Sequence, residues 1–217
     1  MTPARTHALT AVIALVSATG CSKGFGSSFE GAVTMTTTWP NAPVMTTVIK
    51  AKGDRIRFDV ALADGRTSSA IFLPDQNKLL TLIDERKTAV ETDLGSPFAP
   101  DPDTDSRKST VVKAGESLTV AGIGCEYYVV KDGSGARTEA CVAPGLPFLD
   151  LEAMRRSQPP SQWSRDMRAR KVFPLRRVDF DAKGKELVRT EVTRVAKEKL
   201  DDAVFQVPAD YKVVPRT

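Results

Sequence analysis

The stretch Arg55-Ile56-Arg57-Phe58-Asp59-Val60-Ala61-Leu62 puts Ile56, Phe58, Val60 and Leu62 on one side of an extended chain and Arg55, Arg57 and Asp59 on the other. Successive side chains of a strand point to opposite faces, so this is a strand with one face buried and one in water. The rhythm continues in both directions. Upstream, Phe29 to Trp39 and Val44 to Ala51 read as strands parted by Pro40-Asn41-Ala42-Pro43. Downstream, Asp64-Gly65 turns into Thr67 to Leu73, Pro74-Asp75-Gln76-Asn77 into Lys78 to Ile83, and Lys87 to Thr92 completes a six-strand meander. Short strands joined by Gly, Pro, Asn and Asp turns predict an antiparallel sheet, not alternating βαβ units.

Leu94 to Ser109, with three prolines, breaks this order and reads as a surface loop or lid. Strands resume at Thr110 to Val112, Ser117 to Val120, Cys125 to Lys131 and Ala136 to Val142. Leu146 to Arg156 and the region of Trp163 to Arg170 read as short helices, and Phe173 to Phe180 with Glu186 to Ala196 as a final hairpin. About ten strands are too many for a flat open sheet, which curls or splits at that size.

The first 21 residues form a separate unit. Arg5 supplies a charge, Ala8 to Val16 an apolar run broken only by Thr10, and Ser17-Ala18-Thr19-Gly20 a small-residue cleavage site before Cys21. That order is a secretory signal peptide, too short to span a bilayer. Ala-Thr-Gly-Cys resembles the lipobox of bacterial lipoproteins, with Ala18 where Leu is usual. The resemblance implies that Cys21 is acylated and anchors the chain; the rival reading is an ordinary signal peptide cut nearby. The expected organisation is a signal peptide over 1–20, an acylated cysteine and tether over 21–28, and one β domain over 29–217. Ser22 after the cysteine favours the outer membrane, where aspartate would favour the inner one.

Without the leader, 30 basic side chains face 27 acidic ones, a net of +3, and export argues against a nucleic-acid partner. Cys125 and Cys141 remain as an even pair in a compartment where disulfides persist. They flank the turn Asp132-Gly133-Ser134-Gly135 at equal distance from Gly133, so a symmetric hairpin sets them directly opposite each other. A redox-active pair or two free thiols are the rivals, and no Cys-x-x-Cys spacing favours redox work.

The segments FEGAVTMTTT (29–38), IRFDVALADGRTSSAIFLPDQNKLLTLI (56–83) and AGIGCEYYVV (121–130), with the ending around Phe205, Pro208 and Tyr211, resemble a family of uncharacterised bacterial envelope lipoproteins. That family is similar to the LolA/LolB-like half-barrels, which include the outer-membrane lipoprotein carriers. The resemblance implies a curved antiparallel sheet, an unclosed half-barrel with one or two short helices covering a concave face that can hold an acyl chain. It assigns no functional residue.

Catalytic chemistry has little to stand on. The one histidine, His7, leaves with the leader, which removes Ser-His, Cys-His and His-metal arrangements. Gly133-Ser134-Gly135 belongs to a turn, not to a nucleophile elbow. Asp101-Pro102-Asp103-Thr104-Asp105 begins like a calcium loop, but Ser106 replaces its glycine and Val112 its last glutamate, so a solvated acidic loop is the better reading. No cofactor and no metal site is read.

Two features remain. Val33, Met35, Trp39, Ile56, Phe58, Val60 and Leu62 either line a ligand cavity or fill a core; periodicity does not separate the two. Arg155, Arg156, Arg165, Arg168, Arg170, Lys171, Arg176 and Arg177 oppose Asp166 alone. Near one rim they would attract lipid head groups; otherwise they form a solvated loop in which Trp163 packs. The leading expectation is a non-enzymatic envelope lipoprotein that binds a hydrophobic small molecule or lipid. The alternative is a structural or partner-binding outer-membrane lipoprotein with a filled core.

Overall fold

Twelve strands form one sheet in the computed structural model, which describes residues 29–73, 76, 78–94, 110–146, 167 and 169–216. They are β1 Glu30–Trp39, β2 Ala42–Lys52, β3 Arg55–Leu62, β4 Thr67–Leu73, β5 Lys78–Ile83 and β6 Thr88–Asp93. After these come β7 Thr110–Val120, β8 Ile123–Lys131, β9 Arg137–Pro144, β10 Val172–Phe180, β11 Glu186–Lys197 and β12 Lys212–Pro215. The order β12-β6-β5-β4-β3-β2-β1-β11-β10-β9-β8-β7 joins two meanders, β1–β6 and β7–β11, through the antiparallel pair β1–β11.

The sheet is curved and unclosed. β7 stands at the end of the strand order, yet it approaches β11. Val120 of β7 shares one buried cluster with Cys125, Cys141, Phe173, Leu175, Val192, Val33, Ile49, Ile56 and Phe58, which spans β8 through to β3. Strands so far apart in a sheet share a cluster when the sheet curls towards the face that carries it. This is the open half-barrel, and its concave face is the apolar one.

Turn chemistry sets the registers. The loop Asp132–Ala136 closes with the Asp132 N–H donating to Ala136 O at 3.0 Å, and Asp132 Oδ1 accepts from the N–H groups of Ser134 and Ala136. Gly135 sits at φ 87°, a conformation open to glycine. Asp181–Lys185 repeats the arrangement, with Gly184 at φ 83°. Both are five-residue loops, so the β8–β9 hairpin is centred on Ser134 and Cys141 pairs with Tyr127. The expectation of directly opposed cysteines is therefore corrected. Cys125 and Cys141 sit diagonally, with Cα atoms 5.4 Å apart, and the twist of the sheet brings them within reach of the disulfide that joins them. Closing a loop of separation 16 contributes about 3 kcal/mol in the chain-entropy model.

Two further expectations change. Thr110 to Val120 is one strand, not two; its register shifts between Lys113 and Ser117, where Gly115 takes φ 70°. The C-terminal tail does more than dock apolar side chains. It crosses the outer face of β3–β5, burying Phe205 and placing Val207 and Tyr211 against Ile71, Leu80, Leu82 and Ala89, then adds β12 in parallel to β6. Of the expected helices, residues 147–166 lie outside the described residues. Met167, Ala169 and Arg170 are helical, and Met167 packs with Tyr128, Val130, Ala140 and Val142, on the face of β9 opposite Cys141.

Gly31 makes the β1–β11 seam possible. At φ 148° it brings β1 so close to β11 that a Cβ there would lie 2.0 Å from the Ala196 carbonyl oxygen. Gly31→Ala is expected to destabilise the fold by at least about 1–3 kcal/mol, the usual range for local backbone strain, read as a lower midpoint in urea unfolding.

Candidate functional site

The concave face changes character from one end to the other. At the end where β1 begins, Val33, Met35, Ile56 and Phe58 are buried in the apolar cluster. Thr47, in register with Met35, and Thr37, two residues further along β1, are buried as well, and the Thr37 and Thr190 hydroxyls share a hydrogen bond of 3.2 Å. On β3, Val60, in register with Thr47, is half-buried, and Leu62, in register with Met45, is 37% exposed; Trp39 at the end of β1 is 39% exposed. The seven residues on the alternating faces therefore do not form one lining. Four are core, Val60 is intermediate, and Trp39 and Leu62 stand on the rim.

Neighbouring strands enlarge that rim. Val44 and Leu187 are each 46% exposed. The pairings Met45–Leu62, Trp39–Ala42 and Thr38–Arg189 bring Leu62, Val44, Trp39 and Leu187 to the same end of β3, β2, β1 and β11. Sequence reasoning missed Val44 and Leu187. A signal existed: from Ala32 to Ile49 the chain carries no charged residue, unusual for a hairpin whose tip meets water.

Charged groups occupy the other side of the half-barrel. Two residues from Cys141 on β9, Glu139 accepts from the Tyr127 hydroxyl at 2.6 Å and from Arg137 Nε at 3.0 Å, and the Arg137 guanidinium lies 3.9 Å from the Phe180 ring centre. Burial would raise the Glu139 carboxyl, but these two hydrogen bonds outweigh it and hold the group below its ordinary value. Arg189 pairs with Glu186 at 2.6 Å. Arg176, which pairs in register with Cys141 and Glu191, keeps a buried Nε 3.8 Å from Glu191 Oε2, too far for a hydrogen bond.

The basic run is described only in part. Arg155, Arg156, Arg165 and Arg168 lie outside the described residues, as do Cys21, Trp163 and the Asp101–Asp105 loop. Arg170 donates to the Tyr128 hydroxyl at 2.7 Å, and Lys171 precedes β10. Arg176 and Arg177 lie within β10, and Arg177 pairs with Asp179 at 3.0 Å. Strand alternation separates these two arginines, which adjacency in sequence conceals. Among the described residues no group of three or more His, Cys, Asp or Glu comes together as a metal site. Among them, too, no helix is long and apolar enough to cross a membrane.

Across the outer face, Asp59 ties the tail strap to the sheet. It accepts from Lys50 Nζ at 2.8 Å, Arg57 Nε at 2.7 Å and Ser69 Oγ at 2.8 Å, while Arg57 Nη1 reaches the Val204 carbonyl. Desolvation works to raise the Asp59 carboxyl, yet the three donors prevail and hold it below the ordinary carboxylate value.

The family model for a domain of unknown function, DUF4412, matches residues 29–211. The chain belongs to the DUF4412 family. Comparison with the curated proteins finds no match. Among solved structures, this DUF4412 chain is similar to an uncharacterized conserved protein from Thermus thermophilus, with TM-score 0.50 and 13% identity over 86% of this chain and 91% of that one. It is also similar to MucB in the Pseudomonas aeruginosa MucA/MucB complex, with TM-score 0.49 and 14% identity over 87% of this chain and 59% of that one. A putative outer membrane lipoprotein-sorting protein domain from Vibrio parahaemolyticus gives TM-score 0.27 and 13% identity, over 84% and 90%. At such identities the first likeness is one of fold alone.

Because the Asp59 carboxyl is depressed in the folded state, its contribution is complete above the unfolded value and is lost as pH falls through the lower folded one. Asp59→Asn should cost about 1–3 kcal/mol at neutral pH. The gap from the parent should narrow below about pH 4, where the parent carboxyl also protonates. Urea unfolding between pH 3 and pH 7 measures both.

Proposed function

We propose that this DUF4412 protein is a non-enzymatic envelope lipoprotein, held to its membrane by an acylated Cys21, with a filled half-barrel and a binding function carried by the rim. One observation bears most of this reading. Val33, Ile56 and Phe58, which would be the walls of an acyl cavity, are buried in one cluster with side chains of β7 to β11. Towards the other end of the strands the inward residues turn polar or exposed, with buried Thr47 and Thr37 and then exposed Leu62 and Trp39. Exposed apolar side chains at one end of four adjacent strands, with Leu62 on the inner face and Val44 on the outer, are the kind of feature that marks a protein or membrane contact.

The rival, a hydrophobic-ligand or lipid binder, draws support from the partial exposure of Val60, Leu62 and Trp39, which leaves the mouth of the half-barrel apolar. Phe58→Ala separates the two. With a filled core, it should cost about 3–5 kcal/mol, and the parent protein should take up no fluorescent fatty acid. Intact stability with altered uptake of the probe would transfer the function to the interior.

The anchor has its own test. A lipoprotein cysteine carries more than one acyl chain, and single chains hold only marginally, at about 0.8 kcal/mol per buried methylene. Cys21→Ser is therefore expected to release the protein from the membrane fraction or to block its processing. A mutant that is cleaved and still sediments firmly with membranes would contradict the acyl anchor.

A further inference from the structure

The turn from β1 to β2 is built from Trp39-Pro40-Asn41-Ala42-Pro43-Val44, all exposed and none charged. Other turns at the same end of the sheet are made differently. The β3–β4 turn holds Asp64 and Arg66, paired at 2.7 Å, and the β10–β11 turn holds Asp181, Lys183 and Lys185. Those turns are suited to water, and the β1–β2 turn is not.

Its backbone differs as well. Pro40 and Pro43 carry no N–H, and Trp39 and Ala42 pair across the hairpin, so the tip offers few donors to be stripped of water. Unsatisfied backbone groups are what ordinarily keep a loop out of an apolar medium. The neighbouring side chains extend the tip to both surfaces of the sheet. Leu62 lies on the inner face at 37% exposure and Val44 on the outer at 46%, with Leu187 at 46% on β11. A flat protein surface covers one face of a strand end, whereas a bilayer closes around a tip from every side. Tryptophan is the side chain enriched where head groups meet hydrocarbon.

We propose that the β1–β2 tip docks into the interfacial zone of the anchoring bilayer, with Trp39, Val44 and Leu187 entering it and Leu62 at its edge. This rests on the reading of the rim as the binding surface and names its partner as lipid. The chain that precedes the described residues supports that choice. An acylated Cys21 keeps a bilayer always within reach, since the eight residues 21–28 extend at most about 28 Å. β1, at ten residues, rises about 33 Å. The domain therefore reaches the surface with its tip by leaning over on its tether, not by standing inverted. The attraction is apolar and needs no anionic lipid.

Labelling from the lipid side tests this. The full-length chain, purified from membranes, is placed in phosphatidylcholine vesicles that contain a phospholipid with a diazirine in its acyl chain, irradiated, and mapped by peptide mass. Label should concentrate on residues 39–44 and on Leu187, about tenfold above Lys197 and Lys199 at the other end, as expected for side chains that enter the interface. Trp39→Ser with Val44→Ser, both on exposed side chains, should lower the label on Leu187 about fivefold because the tip no longer enters. Label on the tip no higher than on Lys197 and Lys199 overturns the docking. A water-soluble diazirine applied to native envelope membranes then separates that failure from failure of the rim reading. A tip shielded there, yet unlabelled by lipid in vesicles, is covered by a protein, and only the bilayer is overturned. A tip open to the soluble probe in the envelope overturns the rim reading as well. The mass of the N-terminal peptide reports the acyl chains, so the anchor is judged separately from the tip.

Discussion

Pairing of β1 with β11 is the constraint on which the rest of this structure depends. The two strands lie more than 150 positions apart in the chain, and without their ladder the β1–β6 and β7–β11 meanders are separate sheets, each with an exposed apolar face. Their union lets the face of Ile56 and Phe58 share one cluster with the face of Cys141 and Phe173. It also demands Gly31, because the seam closes too tightly there for any side chain. Such a long-range contact brings no reward until the whole intervening chain is ordered, so local hairpins and the tail strap must first offset much of the entropy.

The meander was legible from its residues. Alternation over Arg55–Leu62 and the Gly and Asp turns locate β1 to β6 closely, because those signals are local. What was not legible is non-local or set by a single extra residue. The choice of β11 as neighbour to β1 has no local mark. Bulges are equally silent: β10 shifts register between Pro174 and Arg176, and β1 shifts against β11 between Thr34 and Met35. A five-residue loop looks much like a shorter one in sequence, yet it moves Cys141 from opposite Cys125 to opposite Tyr127. Periodicity also extends unchanged through Val60 and Leu62 although burial does not, since height along the strand decides whether an inward side chain meets core or water.

The outer face shows how the tail became part of the sheet. Arg57 is bound to Asp59 and Ser69 on one side and to the Val204 carbonyl on the other, and Arg55 lies 5.3 Å from the Phe205 ring centre. Further along, the Tyr211 hydroxyl donates to Asp84, a bond that pushes the phenol up to about 12. These contacts carry the chain from the foot of β11 to the head of β6. There the Lys212 N–H donates to the Lys87 carbonyl at 2.8 Å and β12 begins. The sheet's β6 edge is covered by the protein's own terminus, one of the usual devices against edge-to-edge association.

Charge on the other wall decides where an apolar partner can engage. Above the disulfide, Arg137, Glu139, Arg176, Arg189, Glu186 and Glu191 form a network of half-buried pairs. An apolar partner laid against it would strip water from ions whose mutual attraction offsets that loss only where the geometry is good, and Arg176 Nε already lacks a hydrogen bond. The strands β1 to β3 impose no such penalty, since the hairpin from Ala32 to Ile49 is free of charge. Among the described residues, four of the six exposed large apolar side chains stand at the rim, Trp39, Val44, Leu62 and Leu187, while Val112 and Val213 are exposed singly elsewhere. With a filled core below and paired charges along β9 to β11, that rim is the surface where binding costs little desolvation of polar groups.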